Sequence, residues 1–396
     1  MVNKTINTIP DENFLSLSIL ASLNSLIDCT VRFFNVSQVT RLQSNDGHDT
    51  GGGSVGVNLA PIIIKEKTSL NHLRGKSFAV DANNMLYQFL SVIRLDYGVP
   101  LQDSTGKPTS HLGGLMFRST RLICDYDMKL IFVFDGEPPK LKSQELSRRS
   151  ILRFSAEKEW ESALASGDRE KAFSKAVTST RLTREMVEDA KKTLQLLGIP
   201  YVEAPSEAEA QAAHMAEIGR VWAANSRDYD TLLFGAPRLS RYLTVSGSEY
   251  LPSKGTTRKL VPEIIILNEV LETLELNQDE LIDLAILIGT DYNPGVRGIG
   301  PKTALKLIRE HHRLEKLPDS IRSHIVGNYE EVRRLFREPK VRDDYSTNFT
   351  NINEDGLYKF LVEDKGYSRD RVATVVERMR RFYSTRKQMG LGMWLS

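Results

Sequence analysis

Three short apolar runs in this chain each end in aspartate: "SFAVD" (77–81), "KLIFVFD" (129–135) and "RVWAANSRD" (220–228). Each has the length and composition of a buried strand, and helical patterns lie between them, such as "ANNMLYQFLSVIRL" after the first. Strands that alternate with helices build an α/β fold, a mainly parallel central sheet flanked by helices. In open parallel sheets, sites form outside the carboxyl ends of the strands. Asp81, Asp135 and Asp228 are therefore expected at one edge of one sheet, although they lie far apart in sequence.

More acids point to the same place. Asp230 follows Asp228 at a two-residue step, so in extended chain both side chains face one way. Asp291 lies in "LIGTDYNPG", where an apolar helix gives way to a turn. The segments "LVPEIIILNEVLETLEL" and "NQDELIDLAILIG" read as helices, with Asn277 as an N-cap. Glu207 and Glu209 stand in "APSEAEAQ" (204–211), at the start of the helix that leads into the third strand. That stretch has two readings. Ser206 can cap the helix with Glu209 as its capping-box partner, or the two glutamates can face a cation. We expect the metal site, with the cap carried by Ser206 alone.

Any one of these acids has an ordinary explanation. A strand-end aspartate is commonly a turn residue or the next N-cap, and Asp81 can cap a helix that begins at Ala82. Seven that converge repel one another and raise each other's pKa. A hard divalent cation relieves this, and an all-oxygen donor set suits Mg²⁺ or Mn²⁺. The two cysteines, Cys29 and Cys124, form neither a disulfide framework nor a zinc cluster, which is consistent with a reducing compartment. Acid-only sites serve phosphate-ester chemistry, where two ions about 4 Å apart can activate a water and stabilise the leaving oxygen.

The net charge of +2 does not by itself imply nucleic acid; the distribution says more. The stretch 136–192 carries "PPKLKSQELSRRSILRF", has no strand signal, and reads as helices projecting from the sheet domain. No apolar run reaches the ~18 residues of a membrane span. Residues 1–54 contain none of these motifs and end in the linker-like "NDGHDTGGGS".

The motifs "FAVDANNMLYQFL", "VFDGEPPKLK", "APSEAEAQ", "NSRDYDTLLFG" and "LIGTDYNPGVRGIGPKTALKLI" together resemble the flap endonuclease family of structure-specific 5′ nucleases, over 55–396. The resemblance implies a PIN-like (5′-nuclease) fold with a helical arch and a helix-hairpin-helix element. It places the metal carboxylates on Asp81, Asp135, Glu207, Glu209, Asp228, Asp230 and Asp291. The first four would serve mainly the ion nearer the scissile phosphate and the last three mainly the second. It assigns catalytic roles to Lys142 and Arg149, and DNA contacts to Gly56, Tyr87, Arg94, Arg118 and Arg153. Gly298, Gly300 and Lys302 fall in the helix-hairpin-helix, whose glycines and helix start present amides to a phosphate and where the family binds K⁺. The expected segments are 55–155 (nuclease region and start of the arch), 156–199 (arch and connecting helices), 200–385 (second nuclease region) and 386–396 (a tail).

At the C-terminus, Gln388, Leu391, Trp394 and Leu395 in "QMGLGMWLS" fit the peptide that binds the sliding clamp (PCNA), with Leu395 where an aromatic is usual. No lysine-rich extension follows, which points to an archaeal, cytoplasmic protein rather than a nuclear one. At the other end the family begins Met-Gly-Val, and Val55 stands where that Met belongs. Residues 1–54 are expected to be an unstructured extension or an over-extended reading of the gene start. The expected activity is Mg²⁺-dependent cleavage of 5′ flaps, with 5′–3′ exonuclease activity, in DNA replication and base-excision repair by a monomer. The alternatives are a related 5′ exonuclease or junction nuclease, and a DNA-binding clamp accessory without catalysis.

Overall fold

The computed structural model describes residues 56–244, 247–251 and 256–392; for 96, 247–251, 256–259 and 386–392 only the backbone is described. Val55 and the expected 1–54 extension lie outside the described residues, as do Trp394 and Leu395.

Nine strands occur among the described residues: β1 (Glu66–Lys67), β2 (Ser77–Asp81), β3 (Lys129–Phe134), β4 (Tyr201–Glu203), β5 (Ala223–Asn225), β6 (Arg238–Arg241), β7 (Gly247–Leu251), β8 (Thr256–Leu260) and β9 (Glu263–Ile266). Seven form one sheet in the order β1-β9-β6-β5-β2-β3-β4, and β7 and β8 make a separate hairpin. Neighbours from β6 to β4 run parallel, whereas β9 pairs antiparallel with β6 and β1 antiparallel with β9. The sheet is thus mixed, with a parallel centre.

Alternation along the central strands feeds two cores. Ala79, Ile131 and Val133 face one side, and Phe78, Val80, Leu130, Phe132 and Phe134 the other. Helices α1 (Ala82–Val92), α2 (Ser110–Tyr126) and α5 (Arg184–Leu197) cover the second side. Helix α6 (Ala208–Glu217) covers the first. Its buried face is mostly alanine, so it lies close against β2 and β5. Between α2 and α5 the chain leaves the sheet as α3 (Ser143–Ser166) and α4 (Arg169–Thr178). These helices pack on each other through small side chains: Ala156 and Ala163 of α3, Ala172 and Ala176 of α4.

Two expectations need correction. Residues 263–266 form β9 rather than the start of a helix, because a run of β-branched isoleucines after Pro262 completes the sheet edge beside β6. The helix starts only at Leu267, as α8 (Leu267–Leu274). The third strand is also shorter than its apolar run. It stops at Asn225, and Asp230 opens the one-turn helix α7 (Asp230–Leu233). Asp228 and Asp230 therefore do not share an extended segment. Helix α9 (Gln278–Ile288) has Asn277 as its N-cap, as its sequence predicts, and the structure adds a full capping box with Glu280. Helix α10 (Pro301–His311) follows after a glycine-rich turn. Later helices include α11 (Tyr329–Arg337) and α12 (Arg369–Gly392).

Candidate active site

The seven acids lie at the carboxyl edge of the parallel strands. Asp81 ends β2, where one oxygen caps α1 by accepting from the Asn84 amide at 3.0 Å. Its second oxygen faces Ser226 Oγ at 3.4 Å. Asp135 follows β3 and accepts from Asn83 Nδ2 at 2.7 Å and from the Ala208 amide at 2.8 Å. That second bond answers the capping question. The exposed amide at the start of α6 is satisfied by Asp135 from across the sheet. Ser206 does not cap; its hydroxyl donates to the Glu137 carbonyl at 3.2 Å. Glu209 is free of capping duty and accepts from Ser226 Oγ at 2.8 Å.

Asp228 accepts from Asn84 Nδ2 at 2.9 Å. Asp230, almost fully buried, accepts from the Val57 amide at 2.9 Å. Asp291 comes from the turn between α9 and α10, where Asn293 ties back by donating to the Ile286 carbonyl at 2.7 Å. One Asp291 oxygen accepts from the Gly56 amide at 3.1 Å and from Arg149 Nη2 at 2.5 Å, and the other meets Lys142 Nζ at 3.1 Å. The Lys142 ammonium also bonds Glu207 Oε1. Glu145, one turn before Arg149, holds that guanidinium from behind at 2.7 Å.

Gly56 has φ +74, and a Cβ added there would stand 3.2 Å from both Asp230 carboxylate oxygens. Only glycine lets the backbone approach the acids this closely.

Burial and mutual repulsion push most of these carboxyls up. Burial, then the neighbouring Asp135, raises Asp81, and burial with Asp228 and Asp230 raises Glu209. Burial takes Asp228 to about 6, with Arg227 opposing. Burial and Asp291 take Asp230 to about 8. Burial raises Glu207 despite Lys142. Asp291 alone is lowered: burial acts upward on it, and Lys142 and Arg149 outweigh that.

The donor set suits a hard cation. It offers oxygens only, it is over-rich in negative charge, and Glu207 Oε2 is buried without a hydrogen-bond partner. Among the described residues no three His, Cys, Asp or Glu side chains are closed into a ready cation site. Instead, Lys142 and Arg149 reach in among the acids.

The remaining predicted residues surround this centre without entering it. Tyr87 lies half-exposed on α1, one turn beyond Asn83 and Asn84. Arg94 spends its guanidinium on the Gly98 carbonyl and Thr180 Oγ1, joining the end of α1 to the end of α4. Arg118 is half-buried on α2, and burial lowers it to about 10. Arg153 bonds the Arg149 carbonyl one turn back at 3.2 Å. Gly298 has φ +85, Gly300 is the N-cap position of α10, and Lys302 is exposed on its first turn. Of the tail residues, the Gln388 and Leu391 backbones belong to α12.

Sequence reasoning missed Asn83, Asn84 and Ser226, whose side chains carry the acids. Their signal was visible, since they lie in "DANN" and "NSRD" directly beside Asp81 and Asp228.

Two family models match the chain: the XPG N-terminal domain over 57–156 and the XPG I-region over 198–291. The chain is similar to flap endonuclease 1 of Pyrococcus furiosus, at 45% identity over 341 residues, covering 86% of this chain and 99% of the relative. It is 47% identical to flap endonuclease 1 of Methanopyrus kandleri over 329 residues, 81% and 93% of the two chains. Among solved structures it matches flap endonuclease-1 from Methanococcus jannaschii with TM-score 0.66 and 40% identity, over 84% of this chain and all of that one.

Proposed function

Since the chain belongs to the flap endonuclease family and is a structure-specific flap endonuclease, we propose that it cleaves the single-stranded 5′ branch of DNA flaps at an Mg²⁺ site built from its seven acids. The observation that carries this reading is the gathering of Asp81, Asp135, Glu207, Glu209, Asp228, Asp230 and Asp291 at one edge, where Lys142 pairs with Glu207 and Asp291 and Arg149 with Asp291. Asp81, Asp135, Glu207 and Glu209 would hold one ion, and Asp228, Asp230 and Asp291 a second, with Mn²⁺ able to substitute. When bound, such ions supply Lewis-acid activation of water and neutralise charge on the leaving oxygen.

The protein's own groups do the rest. Lys142 and Arg149 come from the arch side of the site, so they can meet the scissile phosphate and stabilise the charge it gains. Asn83, Asn84 and Ser226 hold carboxylates from behind, fixing which lone pairs face inward. Tyr87, one turn further along α1, offers a ring to the base beside the cut. The α9–α10 turn and Lys302 grip the duplex backbone without reading bases, a site also suited to K⁺. Specificity then comes from the shape of the branch rather than its sequence.

Asp230→Ala is expected to lower cleavage of a labelled flap by about 10²–10³-fold while leaving flap binding in place. Cleavage retained in Mg²⁺ would refute the metal assignment. A gel comparison of flap, nicked and bubble substrates separates this activity from exonuclease or junction cleavage. Deleting 388–396 is expected to abolish stimulation by the sliding clamp and spare intrinsic cleavage; unchanged stimulation counts against the tail.

A further inference from the structure

Arg241, at the end of β6, is buried with 8% exposure; its charge acts on Asp228, while its hydrogen bonds go to the residues around that acid. Its Nε donates to the Arg227 carbonyl at 2.9 Å. Its Nη1 donates to the Tyr229 hydroxyl at 2.6 Å. The guanidinium carbon lies 4.2 Å from the Tyr229 ring centroid and 4.9 Å from that of Tyr242. One side chain therefore clamps both residues that flank Asp228, and Tyr229 also precedes Asp230.

The clamp is built at a cost. Tyr242 has φ +58, a left-handed backbone that a bulky residue rarely adopts. That turn folds its ring over the neighbouring guanidinium and lets its hydroxyl accept from Nη2 at 3.2 Å. Such strain is kept where the surroundings over-determine it, typically around functional sites. The charge is answered across the sheet by Glu263, the register partner of Arg241 on β9, at 3.4 Å, and Glu263 in turn meets Lys65 at 3.0 Å. After β5 ends at Asn225, no strand pairing holds residues 227–230. Arg241 supplies a tie from the next strand, alongside the bonds that Asn84, Ser226 and Val57 make to this segment.

We infer that Arg241 is a positioning residue that sets the Asp228–Asp230 segment at the spacing a divalent cation requires. The inference rests on the metal reading above. A lysine keeps the charge opposite Glu263 but cannot reach the Arg227 carbonyl and the Tyr229 hydroxyl together.

The test is Mn²⁺ binding to the full-length protein without DNA, followed by electron paramagnetic resonance, with melting temperatures recorded in parallel. Arg241→Lys is expected to weaken Mn²⁺ binding on the order of 10-fold and to leave flap affinity in EDTA unchanged. Glu263→Gln removes the paired charge and not the clamp, so it lowers Tm and leaves Mn²⁺ affinity as in wild type. Tyr229→Phe keeps the ring stack and the fold, and is expected to weaken Mn²⁺ binding by a smaller factor than Arg241→Lys. Wild-type affinity in both Arg241→Lys and Tyr229→Phe, or affinity that falls only in step with Tm across all three variants, overturns the inference. Wild-type protein that binds no Mn²⁺ overturns the metal reading itself.

Discussion

Asp230 shows how far the site departs from what folding alone favours. Its carboxyl is pushed up to about 8, with Asp228 beside it at about 6, against an ordinary value near 3.8. Between roughly pH 4 and pH 8 the folded chain keeps a proton here that the unfolded chain has released. Stability from this residue therefore falls as pH rises through that window, the reverse of a salt-bridged carboxylate. Asp230→Asn removes the penalty and still accepts the Val57 amide. In EDTA at pH 8 its Tm is expected to exceed wild type by about 2 °C or more, with a smaller gain at pH 5. Equal gains at both pH values would mean that ionisation is not the cause. Lys142 is raised too, but there the shift favours the charged form: burial acts to lower it, Glu207 and Asp291 outweigh that, and it stays charged throughout this window.

Among the elements, the arch is only lightly anchored. Helices α3 and α4 bury little beyond four alanines, and Ile151 and Phe154 stay exposed. Besides the Arg149–Asp291 pair at the base of α3, they meet the sheet domain at the turn after α1. There Trp160 Nε1 donates to the Tyr97 carbonyl at 3.1 Å, and Gly98, at φ +76, lies against α4. A Cβ at Gly98 would stand 2.5 Å from the Ala176 Cβ. Gly98→Ala is expected to cost about 1–3 kcal/mol, concentrated in the arch. Hydrogen exchange should then quicken across 143–178 and not in β2 or β3; uniform quickening would contradict this. Such elements were unevenly legible. The acids at strand ends and the Asn277 cap follow from local pattern, because apolar length and capping chemistry are local. The β9 strand, the Asp135 bond to α6 and the Arg241 clamp depend on partners distant in sequence. An isoleucine run, a serine before a helix and a lone arginine do not announce such partners.

At the scale of the whole molecule, the two cores on either face of the sheet fix the acid edge between the arch and the α9–α10 turn. The near-neutral total charge leaves binding to local cations placed around that edge. Lys302→Ala is expected to weaken flap binding equally for every flap sequence and to reduce the slope of log affinity against log salt by about 1. A sequence-dependent loss would mean that α10 reads bases. The site also joins segments that are remote in the chain: the Gly56 amide bonds Asp291 across 235 positions, and the Val57 amide bonds Asp230 across 173. A ribosome adding about 5–20 residues per second needs roughly 10–50 s to pass from the first of those groups to the last. During that interval the nascent nuclease lacks one wall of its catalytic centre, so synthesis itself delays the moment at which the enzyme can cut DNA.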